Sequence, residues 1–359
     1  MVAVATAAAL GAGTVALAGS FKSLKLYPTG PETLEVQVAD LNRDGRRDLI
    51  VTNRGSDDVS ILRGKGRRGR FDASVEYPAG PSPFGVAVGD YNRDGRKDLA
   101  IANQDFAGGV TVMLSNGAGF ALPAQQFPAV GETSYVVAAH LNGDRKLDLA
   151  ATGLLTSDVT LLEGDGNGGF SDAGTLTAGP DPFPLVAGDF NRDGDTDIVV
   201  GNSGDDTVSY FKGEGDGTFG SPTTFPGGGA PNGMIVGRID GDRRPDIAIA
   251  DYSDEYTILL SRGGGFQSRT RSLGDSPADV TLFNFDNRGP KDLAFVDATL
   301  DKVLVLRGKG TRGRFRQARS FPAGDGVYGV AKGRFNGDRR DDLATAAFSD
   351  ASAGVLLSR

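Results

Sequence analysis

A nine-residue acidic loop recurs along this chain at nearly constant spacing, and that recurrence limits the fold more than any other feature. Its clearest copy is Asp90-Tyr91-Asn92-Arg93-Asp94-Gly95-Arg96-Lys97-Asp98, followed directly by the apolar run Leu99-Ala100-Ile101-Ala102. Oxygen-bearing side chains stand at loop positions 1, 3, 5 and 9, and position 6 is a glycine that lets the backbone turn without a Cβ clash. The closing aspartate returns as Asp48, Asp98, Asp148, Asp197, Asp246, Asp292 and Asp342, each before Leu or Ile, at intervals of 50, 50, 49, 49, 46 and 50 residues. Seven copies at a period in this range predict seven structural units of one repeat architecture.

One unit reads as four short strands between Phe84 and Val130. Val86-Ala87-Val88 leads into the loop, Leu99-Ala100-Ile101 leaves it, Val110 to Leu114 follows, and Phe120 to Phe127 completes the unit after a Gly-rich turn. The 54 glycines cluster between such apolar runs, as turn residues of an all-β protein do. The chain ends are complementary. The last unit stops after Val355-Leu356-Leu357, its third strand, whereas Phe21 to Pro28 has the form of a fourth strand with no unit before it. The N-terminal strand is therefore expected to complete the last sheet, closing a ring that leaves no open edge.

The loop suits a hard cation. Calcium takes about six to eight oxygen ligands, and alternating Asp and Asn around a tight turn supply them, as in the front half of an EF-hand loop. Three loops are complete: Asp40, Asn42, Asp44 and Asp48; Asp90, Asn92, Asp94 and Asp98; Asp189, Asn191, Asp193 and Asp197. Position 7 would add a backbone carbonyl from Arg46, Arg96 and Asp195. The third loop keeps Asn142, Asp144 and Asp148 but begins with His140, a poor calcium ligand, and has Arg145 in place of the glycine. The fifth and seventh begin with Arg238 and Arg334, beside Asp240, Asp242, Asp246 and Asn336, Asp338, Asp342; their guanidinium groups are expected to pair with those carboxylates and replace the metal. The sixth, with Asn284, Asp286, Arg288 and Asp292, lacks the acid at position 5, and no ion is expected there. Mutual repulsion should raise the proton affinity of such carboxylates until a cation relieves it, so the ion would act as a structural clip.

The pattern Asp-x-Asn-x-Asp-Gly-x-x-Asp-Leu, once per roughly 50 residues with four strands each, resembles the FG-GAP/VCBS repeat of integrin α-subunit heads, bacterial secreted VCBS proteins and some fungal lectins. The resemblance covers residues 21–359 and implies a seven-bladed β-propeller of four-stranded blades, with Ca2+ in the loops between first and second strands. It specifies the fold far better than the function, because one propeller scaffold hosts binding proteins and enzymes alike.

Composition narrows the function classes. A net charge of -8 argues against a general nucleic-acid binder. Residues 1–20 carry no charged side chain and end in Ala16-Leu17-Ala18, which fits a secretory signal without its basic leader, ahead of one propeller domain at 21–359. A secreted or cell-surface, bacterial-type extracellular setting follows as the expectation, and no stretch is long and apolar enough to span a bilayer. Gly64-Lys65-Gly66-Arg67-Arg68-Gly69, Gly164 to Gly169 and Gly308 to Gly313 have dinucleotide-fingerprint spacing, but each falls in a turn between strands with no helix to receive a phosphate. His140 is the sole histidine, there is no cysteine, and no Gly-x-Ser-x-Gly elbow occurs, which leaves little for nucleophilic catalysis.

The expected function is a monomeric, non-catalytic binding or adhesion scaffold for a protein or glycan ligand. A lectin is one alternative, and a lyase or hydrolase working through carboxylates is another. Two surfaces are candidates for the ligand. Arg63, Lys65, Arg67, Arg68 and Arg70, with Arg307, Lys309, Arg312 and Arg314, should share the face of the acidic loops and suit an anionic partner such as an acidic glycan. The opposite face should carry Phe84, Asp105, Phe106, Tyr135, Phe183, Asn232, Tyr252, Asp254 and Tyr328, where aromatic rings would stack on sugars or anchor a protein.

Overall fold

The computed structural model describes residues 20–105, 108–274, 276–285, 291–310, 313–316 and 318–359. The expected signal segment, apart from Ser20, therefore lies outside the described residues, as do Phe106, Asp286, Arg288 and Arg312. Seven four-stranded antiparallel sheets form the blades of a β-propeller. The first blade runs Thr33–Ala39, Asp48–Asn53, Asp58–Leu62 and Val75–Pro78 from the axis outward, and each later blade repeats that order. The seventh is made of Val327–Gly333, Asp342–Ala347, Ser352–Leu356 and the N-terminal strand Lys25–Pro28, as the complementary ends predict. Lys25 pairs with Val355 and Pro28 with Ser352, and a single bridge joins Phe21 to Ser358.

Burial grades outward within each blade. Second strands such as Asp48–Asn53 and Asp342–Ala347 are buried at every residue, because neighbouring blades cover both of their faces. Outermost strands such as Val75–Pro78 are mostly exposed. The fourth strand of the second blade is shorter than its sequence suggests: it covers Gln125–Phe127, with Phe120 held only by a bridge to Ser115, since Pro123 interrupts the run and has no N–H to donate.

The core is divided into seven apolar clusters, one per seam between blades. Ile50, Val59 and Ile61 of the first blade pack on Leu99, Ile101 and Met113 of the second. The closing seam does the same with Tyr27, Ala344 and Val355 against Leu49, Val51 and Leu62. Every innermost strand shifts register near its start, for example between Thr33 and Val36 and between Pro277 and Asp279. That bulge turns one residue per blade toward the axis.

Candidate functional site

The seven loops between first and second strands are built around their last residue. Asp48, Asp98, Asp148, Asp197, Asp246, Asp292 and Asp342 are all buried. In every one, Oδ2 accepts the backbone N–H of loop position 2 at 2.8–3.1 Å, from Leu41, Tyr91, Leu141, Phe190, Ile239, Phe285 and Phe335. In every one, Oδ1 accepts an N–H just beyond the third strand at 2.8–3.1 Å, from Gly64, Ser115, Gly164, Gly213, Ser261, Gly308 and Ser358. One carboxylate thus ties the loop to the end of the third strand of its own blade, whatever the other loop positions carry. Burial pushes the carboxyls of Asp98, Asp148, Asp197, Asp246 and Asp292 above the usual range, and that of Asp342 up to about 6.

The position-2 residues are the functional side chains that reading the acidic pattern alone misses. All seven are apolar or tyrosine, and each packs into the seam with the following blade, as Leu41 does beside Ile101 and Phe285 beside Val330. Their signal was present in the sequence as an apolar residue or tyrosine directly before the position-3 Asn or Asp in every copy.

Positions 3 and 5 form a second repeated device. In the first loop Asn42 Oδ1 accepts the Asp44 N–H at 3.2 Å and Asp44 Oδ1 accepts the Arg46 N–H at 2.8 Å. The same pair of bonds recurs in the second, third, fourth, fifth and seventh loops. Positions 4 and 6 are both left-handed in the complete loops, as at Arg43 (φ 60°) and Gly45 (φ 79°). The third and seventh loops keep this shape with the glycine moved to position 4: Gly143 and Arg145 have φ of 74° and 65°, and Gly337 and Arg339 78° and 69°. Arg145 in place of the glycine therefore does not distort the loop.

The position-5 carboxylates depart from the expectation that repulsion raises their proton affinity. The N–H of Arg96 and its guanidinium hold Asp94 below the usual carboxylate range, the Lys146 ammonium does so for Asp144, and the Asp195 N–H for Asp193. Arg46 and Arg96 bring both backbone and side chain onto the same acid, their Nη1 atoms lying 3.2 and 2.8 Å from Asp44 and Asp94. Lys212, from the end of a third strand, lies 3.3 Å from Asp193.

The complete loops carry the oxygen donors that a calcium ion takes, although their three carboxylates converge less closely than those of the fifth loop. The decisive atom is Oδ1 of Asp90, buried at loop position 1 with no hydrogen-bond partner, while Oδ2 of the same group accepts the Gly95 N–H at 2.9 Å. A hard cation would satisfy that oxygen together with those of Asn92 and Asp94. Asp40 and Asp189 hold the N–H groups of Gly45 and Gly194 in the same way, at 2.9 and 3.2 Å. The third loop fits less well, because His140 Nδ1 lies 2.6 Å from the Lys146 carbonyl, the position-7 oxygen that an ion would use.

The arginine substitution in the fifth and seventh loops works differently from its sequence reading. In the fifth, Arg262 from the end of the third strand, and not Arg238, reaches Asp240 at 2.7 Å and Asp242 at 3.5 Å. Asp240, Asp242 and Asp246 bring carboxylate oxygens within 4.8 Å of one another, the one such acidic cluster among the described residues. In the seventh, Arg334 pairs at 3.0 Å with Asp341, a neighbour outside the ligand pattern. In the sixth, Asn284 donates its N–H to Asp341 at 3.0 Å.

On the opposite face the expected aromatic contacts are largely spent on one another. Phe84, Tyr135 and Phe183, from three successive blades, pack as a trio with centroids 5.1–5.6 Å apart, and the Tyr135 hydroxyl donates to the Asn232 carbonyl at 3.2 Å across the ring. Tyr252 remains 41 % exposed, and the Tyr328 ring lies 5.9 Å from that of Phe348. Asp254 accepts a hydrogen bond from Ser276 at 3.0 Å. Above the trio the innermost strands enclose an axial cavity of about 780 Å³, walled by valine and alanine with Glu35, Asp279 and Lys332 among its polar groups. Glu35 Oε2 accepts the Val86 N–H at 2.8 Å and Asp279 Oδ2 that of Val330 at 2.9 Å, each reaching the next blade past its bulge. Loss of hydration pushes Glu35 up to about 8 and Asp279 up to about 7. Among the described residues no helix is long and apolar enough to cross a membrane.

A model of the FG-GAP-like repeat matches residues 40–101, 92–151, 140–200 and 189–249. No curated protein matches the chain in sequence. Among solved structures, BBS1N in complex with ARL6DN is similar at 13 % identity and a TM-score of 0.66, over 95 % of this chain and 97 % of that one. A functionally unknown protein from Desulfotomaculum acetoxidans DSM 771 is similar at 12 % identity and a TM-score of 0.59, over 80 % and 86 %. At these identities the likeness is one of fold.

Proposed function

Because this chain belongs to the FG-GAP-like repeat family, we propose that it is a calcium-stabilised propeller serving as a non-catalytic binding scaffold outside the cell. The observation that carries the reading is the Asp90 carboxylate oxygen, buried and without a partner at the head of a loop whose other polar groups are hydrogen-bonded. A buried charged acceptor left alone costs free energy, and calcium removes that cost. In the first, second and fourth loops, positions 1, 3 and 5 would hold the ion through side-chain oxygens. Position 9 has both oxygens committed to N–H groups and would contribute only remaining lone pairs.

Binding is the role that the architecture supports. BBS1N, of the same fold, was crystallised in complex with ARL6DN, so such a propeller is able to present a face to a protein. The sole histidine is engaged by a backbone carbonyl within a loop, which favours binding over acid–base chemistry. The test is thermal melting in calcium and in excess chelator, followed by a glycan array and by screening for protein partners. Calcium should raise the melting temperature by several degrees, about 1–3 kcal/mol of linkage at saturating ion. Equal melting in both buffers would refute the calcium part, and turnover of a polysaccharide would refute the non-catalytic part.

A further inference from the structure

At the seam where the seventh blade meets the first, loop and turn residues enclose a cleft of about 460 Å³. Its lining includes Arg46, Arg47, Lys65, Arg67, Arg70 and Arg334, with Asp44 as the only acid. Three of these cations already hold a carboxylate: Arg46 holds Asp44 at 3.2 Å, Lys65 holds Asp72 at 2.6 Å and Arg334 holds Asp341 at 3.0 Å. Arg47, Arg67 and Arg70 are exposed and make no ion pair among the described residues. Three uncompensated guanidinium groups therefore line one concavity in a chain whose net charge is -8. Arg63, grouped with them on sequence, is elsewhere: it is committed to Asp48 at 2.8 Å.

The fold does not require this charge. The equivalent seam between the third and fourth blades has a cleft of similar size, about 470 Å³, lined by Asp144, Asp148, Glu163 and Asp216 with no lysine or arginine. Both clefts set a loop of one blade against a turn of the next and differ in sign, so a cleft at a seam is not of itself basic. The site also spans a boundary. The turn carrying Arg67 and Arg70 belongs to the first blade, yet its Gly69 N–H bonds the Phe335 carbonyl of the seventh at 3.0 Å, and a Cβ on Gly337 would sit 3.7 Å from the Arg67 stem. Its framework is therefore fixed from both sides.

We propose that this cleft binds a compact polyanion bearing phosphate or sulfate groups. Guanidinium forks match tetrahedral oxyanions with paired N–H donors, and three unneutralised charges suit a ligand carrying two or three negative charges. The cleft would thus give the scaffold reading a ligand class. It rests on that reading in assigning a binding role; Asp44 and Arg46 of the first loop line the cleft as well, whereas Arg67 and Arg70 lie outside every ion loop.

Isothermal titration calorimetry with pyrophosphate and with a trisulfated heparin disaccharide, in low salt, tests it. Saturable binding of either probe is expected, weakened at least about tenfold in an R67A/R70A double variant and by added salt. Arg54→Ala, exposed on the other side of the first blade, should bind like the wild type. An R67K/R70K variant, which keeps charge and loses the forks, should fall between, and it serves as the readout should the alanine variant unfold. Binding of neither probe, equal affinity in the alanine variant, or binding only of an acidic peptide used as a third probe would overturn the proposal. Titrations in calcium and in chelator keep the outcomes separate: a protein that binds the anion but melts identically in both buffers retains the cleft and loses the calcium reading.

Discussion

At the scale of single residues, the loop aspartates divide into two kinds that look alike in the sequence. The position-9 group is a buried acceptor for two backbone N–H groups, while the position-5 group is an exposed acceptor that a cation is free to borrow. Asp98→Ala should therefore destabilise by about 2–5 kcal/mol, since it strands two buried donors, and Asp94→Ala in chelator by less than about 1 kcal/mol. Urea denaturation midpoints would show the difference, and comparable losses would sink the distinction. Glu35 offers a second residue-level expectation. Its carboxyl titrates at about 8 in the folded protein against a usual 4.5, so the native state keeps a proton that the unfolded chain releases. Stability from this group is fully present below about pH 4.5 and declines as pH rises toward 8, with Asp279 adding a decline that ends near 7. Glu35→Gln should flatten the fall in melting temperature between pH 5 and pH 8.5, measured by calorimetry at fixed salt, where about one kcal/mol or more separates the two proteins. An unchanged slope would mean that Glu35 is hydrated in the channel.

At the scale of the loop and its blade, what the acidic pattern says depends on which cation reaches it. Asp240 is 8 % exposed, and its proton affinity is set by burial that raises it and by the Asp242 N–H and Arg262 that more than offset the rise. Removing Arg262 leaves three close carboxylates with no cation. Arg262→Ala should cost about 1–2 kcal/mol in chelator and create one additional calcium site, countable by calorimetry. Should the calcium stoichiometry stay that of the wild type, the guanidinium is not standing in for an ion. The periodic acids, the glycine turn and the four-strand unit were all legible in the sequence, because each is carried by side-chain identity at fixed spacing. The anchoring of position 9 was not, since its partners are backbone N–H groups 7 and 15–17 residues away that any residue supplies. Arg262 was hidden for a related reason: it reaches Asp240 from the far end of another strand, whereas Arg238 stood adjacent in the chain. The aromatic trio was visible as three rings, but Phe84, Tyr135 and Phe183 come from three units, and no local spacing reports that they meet.

At the scale of the whole molecule, the ring closes through side chains as well as strand pairing. Phe21 packs against Phe285 and Phe321 with centroids 4.9 Å apart in each case, and Tyr27 against Phe71 at 5.4 Å, so the first described residues anchor two different seams. A chain lacking residues 20–28 should lose about 3–6 kcal/mol from those two rings alone and expose the edge of Ser352–Leu356. Chromatography should show greater self-association than that of the full chain. A deletion that leaves melting and solution size unaltered would mean that closure is dispensable.

The backbone N–H of Arg359 lies 2.8 Å from the Ser20 carbonyl, and Lys25–Pro28 runs antiparallel to Ser352–Leu356. The first and last described residues thus meet at one point. Tension applied through the two termini would load the rungs of that pair one after another, peeling them like a zip, instead of straining all of them together. Held by its ends, the protein would part at the closing blade under modest force, while a load applied across one of its faces would leave that joint untouched.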